Sequence, residues 1–143
     1  MMLPGTPCDA DLPGLHHSAR DLLKGPPICI DCDQAKALLA QFHETATHRG
    51  WRLLSVAIMY NHAHLVVGVP GDPDLAKVLG DFKAYGSRAL NRRWGMPPSG
   101  TWWTYEGSKR KLSGDAAIRG VVRYLVEDQP DPLVVYYDSA YYP

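Results

Sequence analysis

A chain of 143 residues with 45% apolar and 21% charged content and no net charge is expected to form one domain with its own core. No apolar run approaches a membrane span, and Met1-Met2-Leu3-Pro4-Gly5 lacks the basic start and apolar stretch of a secretory signal. A membrane or secreted protein is therefore not expected, and the chain should stay in the cytoplasm. The neutral total hides a segregation: between residues 83 and 123, nine lysines and arginines face only Glu106 and Asp115, which suits a polyanionic partner.

Residues 1 to 27 are rich in Pro and Gly and read as loop, with at most a short strand near Leu15 to Leu22. Cys29-Ile30-Asp31-Cys32 has metal-site spacing, but no second such pair completes a four-ligand zinc site, so two reduced cysteines are expected. Asp33 is a plausible N-cap for a helix from about Gln34 to Arg49, closed by Gly50. Ala35, Leu38, Leu39, Phe42 and Ala46 recur along it at helical spacing. Arg52 to Ile58 and Leu65 to Val69 are apolar runs flanking the turn-like Tyr60-Asn61, which predicts an antiparallel hairpin.

Asp72-Pro73 predicts the start of a long helix running to Trp94. Leu75, Val78, Leu79, Phe82 and Ala89 form its apolar stripe, and Lys83, Arg88, Arg92 and Arg93 populate its second half. Thr101 to Tyr105 reads as a strand or extended loop, and Lys109-Arg110-Lys111 as a basic turn. Ser113 can cap a helix from about Gly114 to Asp128, which Pro130 and Pro132 prevent from continuing. Leu133 to Tyr137 is a short apolar segment and a candidate for one more strand. The order predicts α+β layering.

The pair His62 and His64 carries the chemistry. Alternate residues of a strand share a face, so His-x-His aims two imidazoles at one region. Two imidazoles need a third ligand to hold a divalent ion. Asp128 and Gln129, at the end of the last helix, are the candidates. Tyr124 lies four residues before Asp128 and shares its helix face. Ala117 and Gly120 continue that face with small side chains, which suits either a nucleic-acid backbone or close helix packing. Trp102, Trp103 or Tyr105 could stack a base, although core packing is the commoner use of a tryptophan.

Tyr60-Asn61-His62-Ala63-His64-Leu65-Val66-Val67 resembles the histidine strand of the HUH single-stranded DNA transposases, and within them the IS200-like group and the REP-associated tyrosine transposases. Asp81 to Asn91 resembles that family's basic middle helix, Gly100-Thr101-Trp102-Trp103 its tryptophan connection, and Arg123-Tyr124-Leu125 its tyrosine helix. Tyr60 stands where the family usually has Pro, and Asp128, followed by Gln129, where it commonly has Gln or Asn.

The resemblance implies a single IS200-like domain over residues 1 to 143, with 1 to 27 poorly structured. The expected fold is an antiparallel sheet, a ferredoxin-like or RRM-like palm, covered by helices on one face. The resemblance further implies Tyr124 as nucleophile, His62 and His64 as ligands to Mg²⁺ or Mn²⁺, and Asp128 or Gln129 as the third ligand. Lys83, Arg88, Arg92, Arg93, Lys109, Arg110 and Lys111 would neutralise phosphates of single-stranded or hairpin DNA. A homodimer is expected; the residues leave open whether the tyrosine acts in its own subunit or in its partner's, and the resemblance implies a composite site shared between subunits. The implied activity is metal-dependent cleavage and joining through a 5′-phosphotyrosine, at hairpin or repeat elements. The alternative is a DNA-binding module without chemistry that regulates such elements.

Overall fold

The computed structural model describes residues 29–103 and 110–142. The elements are α1 (Cys32–Arg49), β1 (Arg52–Ile58), β2 (Ala63–Gly68), α2 (Leu75–Trp94), α3 (Asp115–Glu127) and β3 (Val134–Tyr137). The strands form an antiparallel sheet in the order β2-β1-β3. The α+β class with an antiparallel sheet is thus as expected. The possible strand near Leu15 to Leu22 lies outside the described residues, as do Tyr105 and Lys109 of the later segments. Thr101 to Trp103 form no strand.

Local chemistry sets the helix ends. The N-cap of α1 is Asp31 rather than Asp33: its side chain accepts from Gln34 N while Gln34 Oε1 accepts from Asp31 N, a reciprocal capping box. Ile30 N donates to Tyr60 O at 2.9 Å, tying the helix entry to the β1–β2 turn. Gly50 closes α1 at φ 75°, in the left-handed region that glycine enters without strain. The N-cap of α2 is Asp74, not Asp72, because the Asp74 carboxylate accepts from Ala76 N. Gly114 rather than Ser113 precedes α3 and offers no side-chain cap. Cys32 keeps an exposed free thiol, whereas Cys29 is disulfide-bonded, so the expectation of two reduced cysteines holds for Cys32 alone.

Helices cover both faces of the sheet rather than one as expected, because α3 packs on the face opposite α1 and α2, and the two faces carry separate apolar clusters. Leu53, Val56 and Ile58 pack with Leu38 and Phe42 of α1 and with Val78, Phe82 and Leu90 of α2. Leu54, Ala57, Met59 and Val66 pack instead with Val122 and Leu125 of α3. Among the described elements, α3 contacts all three strands and neither of the other helices. A β-bulge permits this division. Leu53 pairs with Val67 and Ser55 with Val66, so Leu54 is an extra residue on β1. Leu54 and Ser55 therefore oppose the single Val66, and Leu54 is delivered to the α3 side.

Trp102 and Trp103 are buried, and their indoles are satisfied from α2. Trp102 Nε1 donates to Asn91 Oδ1 at 2.8 Å, and Trp103 Nε1 to Lys83 O at 2.7 Å and Ser87 Oγ at 2.6 Å. Core packing, not base stacking, is what these two residues do.

Gly86 makes this packing possible. A Cβ there would stand 2.8 Å from Leu38 Cδ1 and 3.2 Å from Trp103 Cζ2. Leu38 is fully buried, so its Cδ1 would have to shift within a packed core. Overpacking costs about 1–3 kcal/mol, against a helix-propensity gain of about 1 kcal/mol. Gly86→Ala should lower the urea midpoint without changing the slope of the transition. An unchanged or raised midpoint would show that the core yields there.

The C-terminal turn clamps the α3 side. Arg52 Nε pairs with Asp138 Oδ2 at 2.8 Å, and Tyr142 Oη donates to Glu127 Oε2 at 2.6 Å. Tyr141 lies between the guanidinium groups of Arg52 and Arg119, 5.4 and 5.2 Å from its ring centre. The bond from Arg52, then that from Ala140 N, hold the Asp138 carboxyl below the usual range. The carboxylate at Glu127 raises the Tyr142 phenol.

Candidate functional site: two histidines, a tyrosine and a buried amide

The hairpin delivers both histidines to the α3 face. Met59 N donates to His62 O at 2.8 Å, and His64 pairs with Ala57 across the ladder. Met59 and Ala57 belong to the α3 cluster, and the period-2 rule sends His62, His64 and Val66 the same way. The two imidazole centroids are 5.2 Å apart, with ring planes at 74°. His62 is 5% exposed, and the Nε2 atoms of both rings are shielded from solvent.

A buried neighbour orients the first ring. Asn61 is 4% exposed, and its Oδ1 lies 2.7 Å from His62 Nδ1. An amide oxygen only accepts, so Nδ1 is the donor of this bond and Nε2 is the nitrogen that carries the lone pair. Metal-binding histidines are oriented in the same manner. Sequence reasoning read Asn61 only as a turn residue and missed this role; its position directly before the histidine pair was the available signal.

Helix α3 supplies Tyr124. Ile118, Val121, Val122 and Leu125 seat the helix on the strands, and Tyr124 is half-buried at the edge of that cluster. His64, Tyr124 and Gly120 line one groove of about 820 Å³, with Arg110 and Lys111 on its wall. Lys111 pairs with Asp72 across the groove and holds that carboxyl below its usual range. Both cations are exposed.

The two third-ligand candidates differ sharply. Asp128 ends α3, its N–H bonded to Tyr124 O at 3.0 Å, and its side chain is exposed. Gln129 is 7% exposed, and its Nε2 and Oε1 have no hydrogen-bond partner among the described residues. A buried polar group left so costs about 1–3 kcal/mol, and a native chain keeps such a group only for a reason such as an ion or a bound water. The chain then turns at Asp131, φ 46°, and Leu133 N donates to Ile58 O at 2.8 Å. Ile58 pairs with Ala63 on one side and Val134 on the other. The segment after α3 therefore returns to the sheet end where the histidine turn lies.

No cluster of three His, Cys, Asp or Glu side chains able to hold a metal is found among the described residues. The set available at this end is two imidazoles and a carboxamide. An amide oxygen together with imidazoles suits a hard or borderline divalent ion, and the Gln129 amide, buried without a partner among the described residues, is chemically fit for one.

The basic residues fall into two groups. Arg110 and Lys111 share the groove with His64 and Tyr124. Lys83, Arg88, Arg92 and Arg93 belong to α2, which packs on the opposite face of the sheet. Arg88 lies 4.9 Å over the Tyr85 ring and Arg93 4.3 Å over Trp94. The fold does not bring them to the histidines. Lys109 lies outside the described residues.

Gly120 is the other residue whose role the fold clarifies. A Cβ there would meet nothing within 4 Å among the described residues. Close helix packing is therefore not its reason, although glycine costs about 1 kcal/mol relative to alanine inside a helix.

The family model described as "Transposase IS200 like" matches residues 28–126, which takes in His62, His64 and Tyr124 and stops short of Asp128 and Gln129. No curated protein and no solved structure matches the chain.

Proposed function

The chain belongs to the IS200-like transposase family, and we propose that it cuts and rejoins single-stranded DNA with Tyr124 as nucleophile, at hairpin or repeat elements. The observation that carries the reading is that His64 and Tyr124, from a strand and a helix far apart in sequence, line one groove.

In this reading the phenol of Tyr124 loses its proton and its oxygen attacks the scissile phosphorus. The bond from phosphorus to the 3′ oxygen breaks, and that oxygen leaves with the electron pair and takes up a proton as a 3′-OH. The 5′ phosphate stays on the tyrosine. A phenol is far more acidic than an alcohol, so the same oxygen both attacks and leaves. Rejoining is the reverse displacement by a 3′-OH and needs no ATP.

A divalent cation, Mg²⁺ or Mn²⁺, held by His62, His64 and Gln129 would polarise the scissile phosphate. Asn61 keeps the His62 proton on the far nitrogen. The exposure of Asp128 and the burial of Gln129 favour Gln129 in that set. Arg110 and Lys111 neutralise phosphates of the strand in the groove. Lys83, Arg88, Arg92 and Arg93 meet DNA on the other side of the sheet, which suits a hairpin stem rather than the strand being cut. A homodimer would pair two such sites, with Tyr124 serving its own subunit or its partner's.

Incubation with a pool of single-stranded hairpin oligonucleotides tests the reading. With Mn²⁺, the expected products are a free, polymerase-extendable 3′ end and a 5′ end blocked by protein, and chelator suppresses both. Hairpin binding that persists in chelator, with no cleavage in any metal, would instead establish a DNA-binding module without chemistry. No helix among the described residues is long and apolar enough to cross a membrane.

A further inference from the structure

We infer that Gly120 is a specificity-determining position: its missing side chain leaves the space through which the DNA strand passes to reach Tyr124. This inference rests on the strand-cleavage reading.

Three observations converge. Gly120 precedes Tyr124 by four residues, so both lie on one face of α3. Both line the groove that also holds His64, Arg110 and Lys111. A Cβ on Gly120 would meet nothing among the described residues, so none of them requires the glycine. Its only positive-φ relative near α3 is Gly114, which lies outside the helix, so a turn does not explain Gly120 either.

The other interior helix glycines sharpen the contrast. Gly86 is required by Leu38 and Trp103. Gly80 of α2 also faces open space, but it does not line the groove. Gly80 and Gly120 thus carry the same helix penalty and differ in what lies over them. A bare helix backbone lets a phosphodiester approach more closely than a side chain would allow. One methyl group there would push the strand away from the tyrosine.

The test compares Gly120→Ala, Gly120→Leu and Gly80→Ala in the full chain. The rate of covalent adduct formation is followed against the concentration of a pool of single-stranded hairpin oligonucleotides, with Mn²⁺ present. Each alanine variant should melt higher than the parent by about 3–6 °C, since both remove a helix glycine. Gly120→Ala should raise the apparent KM roughly tenfold and Gly120→Leu roughly a hundredfold, an effect on access of the kind that a rise in KM reports. Gly80→Ala should leave the kinetics unchanged. The rise in melting temperature separates a blocked groove from a damaged fold. Parental KM and kcat in both Gly120 variants would overturn the inference while leaving the cleavage reading intact. No adduct with the parent protein would remove the reading, and the inference with it.

Discussion

Gln129→Leu should make the metal-free protein more stable and, at the same time, strip it of its response to metal. The amide of Gln129 is buried without a partner among the described residues, and replacing an orphaned polar group by an apolar one of similar size recovers about 1–3 kcal/mol. The parent protein should in turn be stabilised by Mn²⁺, by about 2.7 kcal/mol at a hundred times Kd, and Gln129→Leu by much less. His64→Ala should lose the shift as well, and with it DNA cleavage by about a thousandfold, the several kcal/mol that a Lewis acid contributes to a phosphoryl transition state. Asp128→Ala should resemble the parent in both assays, because its side chain is exposed at the helix end. Thermal melts with and without Mn²⁺ read the binding independently of activity. Equal shifts in the parent and Gln129→Leu would take Gln129 out of the site. A lost shift in Asp128→Ala would put Asp128 in its place.

Tyr124→Phe should abolish covalent attachment while leaving DNA binding within about twofold. The ring keeps its packing against the α3 cluster, and only the hydroxyl is lost, so stability should change by no more than the roughly 0.5–1.5 kcal/mol of one hydrogen bond. The chemistry has no second route, because the phenol oxygen is both the attacking and the leaving atom. Gel-shift titration and denaturing electrophoresis on the same samples separate the two effects. Adduct surviving in Tyr124→Phe would assign the nucleophile elsewhere. Tyr85 is a poorer alternative, because it belongs to α2, which packs on the other sheet face and not on the histidine side.

The hairpin and the histidine pair were legible in the sequence because a strand repeats every two residues. Val66 in the α3 cluster, with Leu65 and Val67 in the other, follows that alternation. The stop at Gly50 was legible for an equally local reason, a backbone conformation that glycine adopts freely. The helix starts were less so. Asp31 and Asp33, or Asp72 and Asp74, are chemically interchangeable caps, and a tertiary contact such as Ile30 N to Tyr60 O helps to determine where the chain enters.

The site was legible in part. The spacing of Tyr124 and Asp128 places both on one helix face, but the helix ends at Glu127, and Gln129 is buried by the turn that follows. That turn is set by the pairing of β3 with β1, a long-range feature. The basic residues misled for the opposite reason. Lys83 to Arg93 and Arg110-Lys111 are one stretch of charge along the chain, yet only the start of α2, at Leu75 and Val78, lines the groove, and its basic second half does not. Charge segregation read along a sequence does not distinguish two faces of a sheet.

The central claim is that Tyr124 becomes joined to DNA, and mapping the adduct tests it most directly. Full-length protein would be incubated with single-stranded hairpin oligonucleotides and Mn²⁺, denatured, and digested with nuclease and protease for mass spectrometry. A 5′-phosphorylated nucleotide on the peptide carrying Tyr124, absent in chelator, is the expected result. An adduct on any other residue, or tight hairpin binding with no adduct in Mg²⁺ or Mn²⁺, would contradict it.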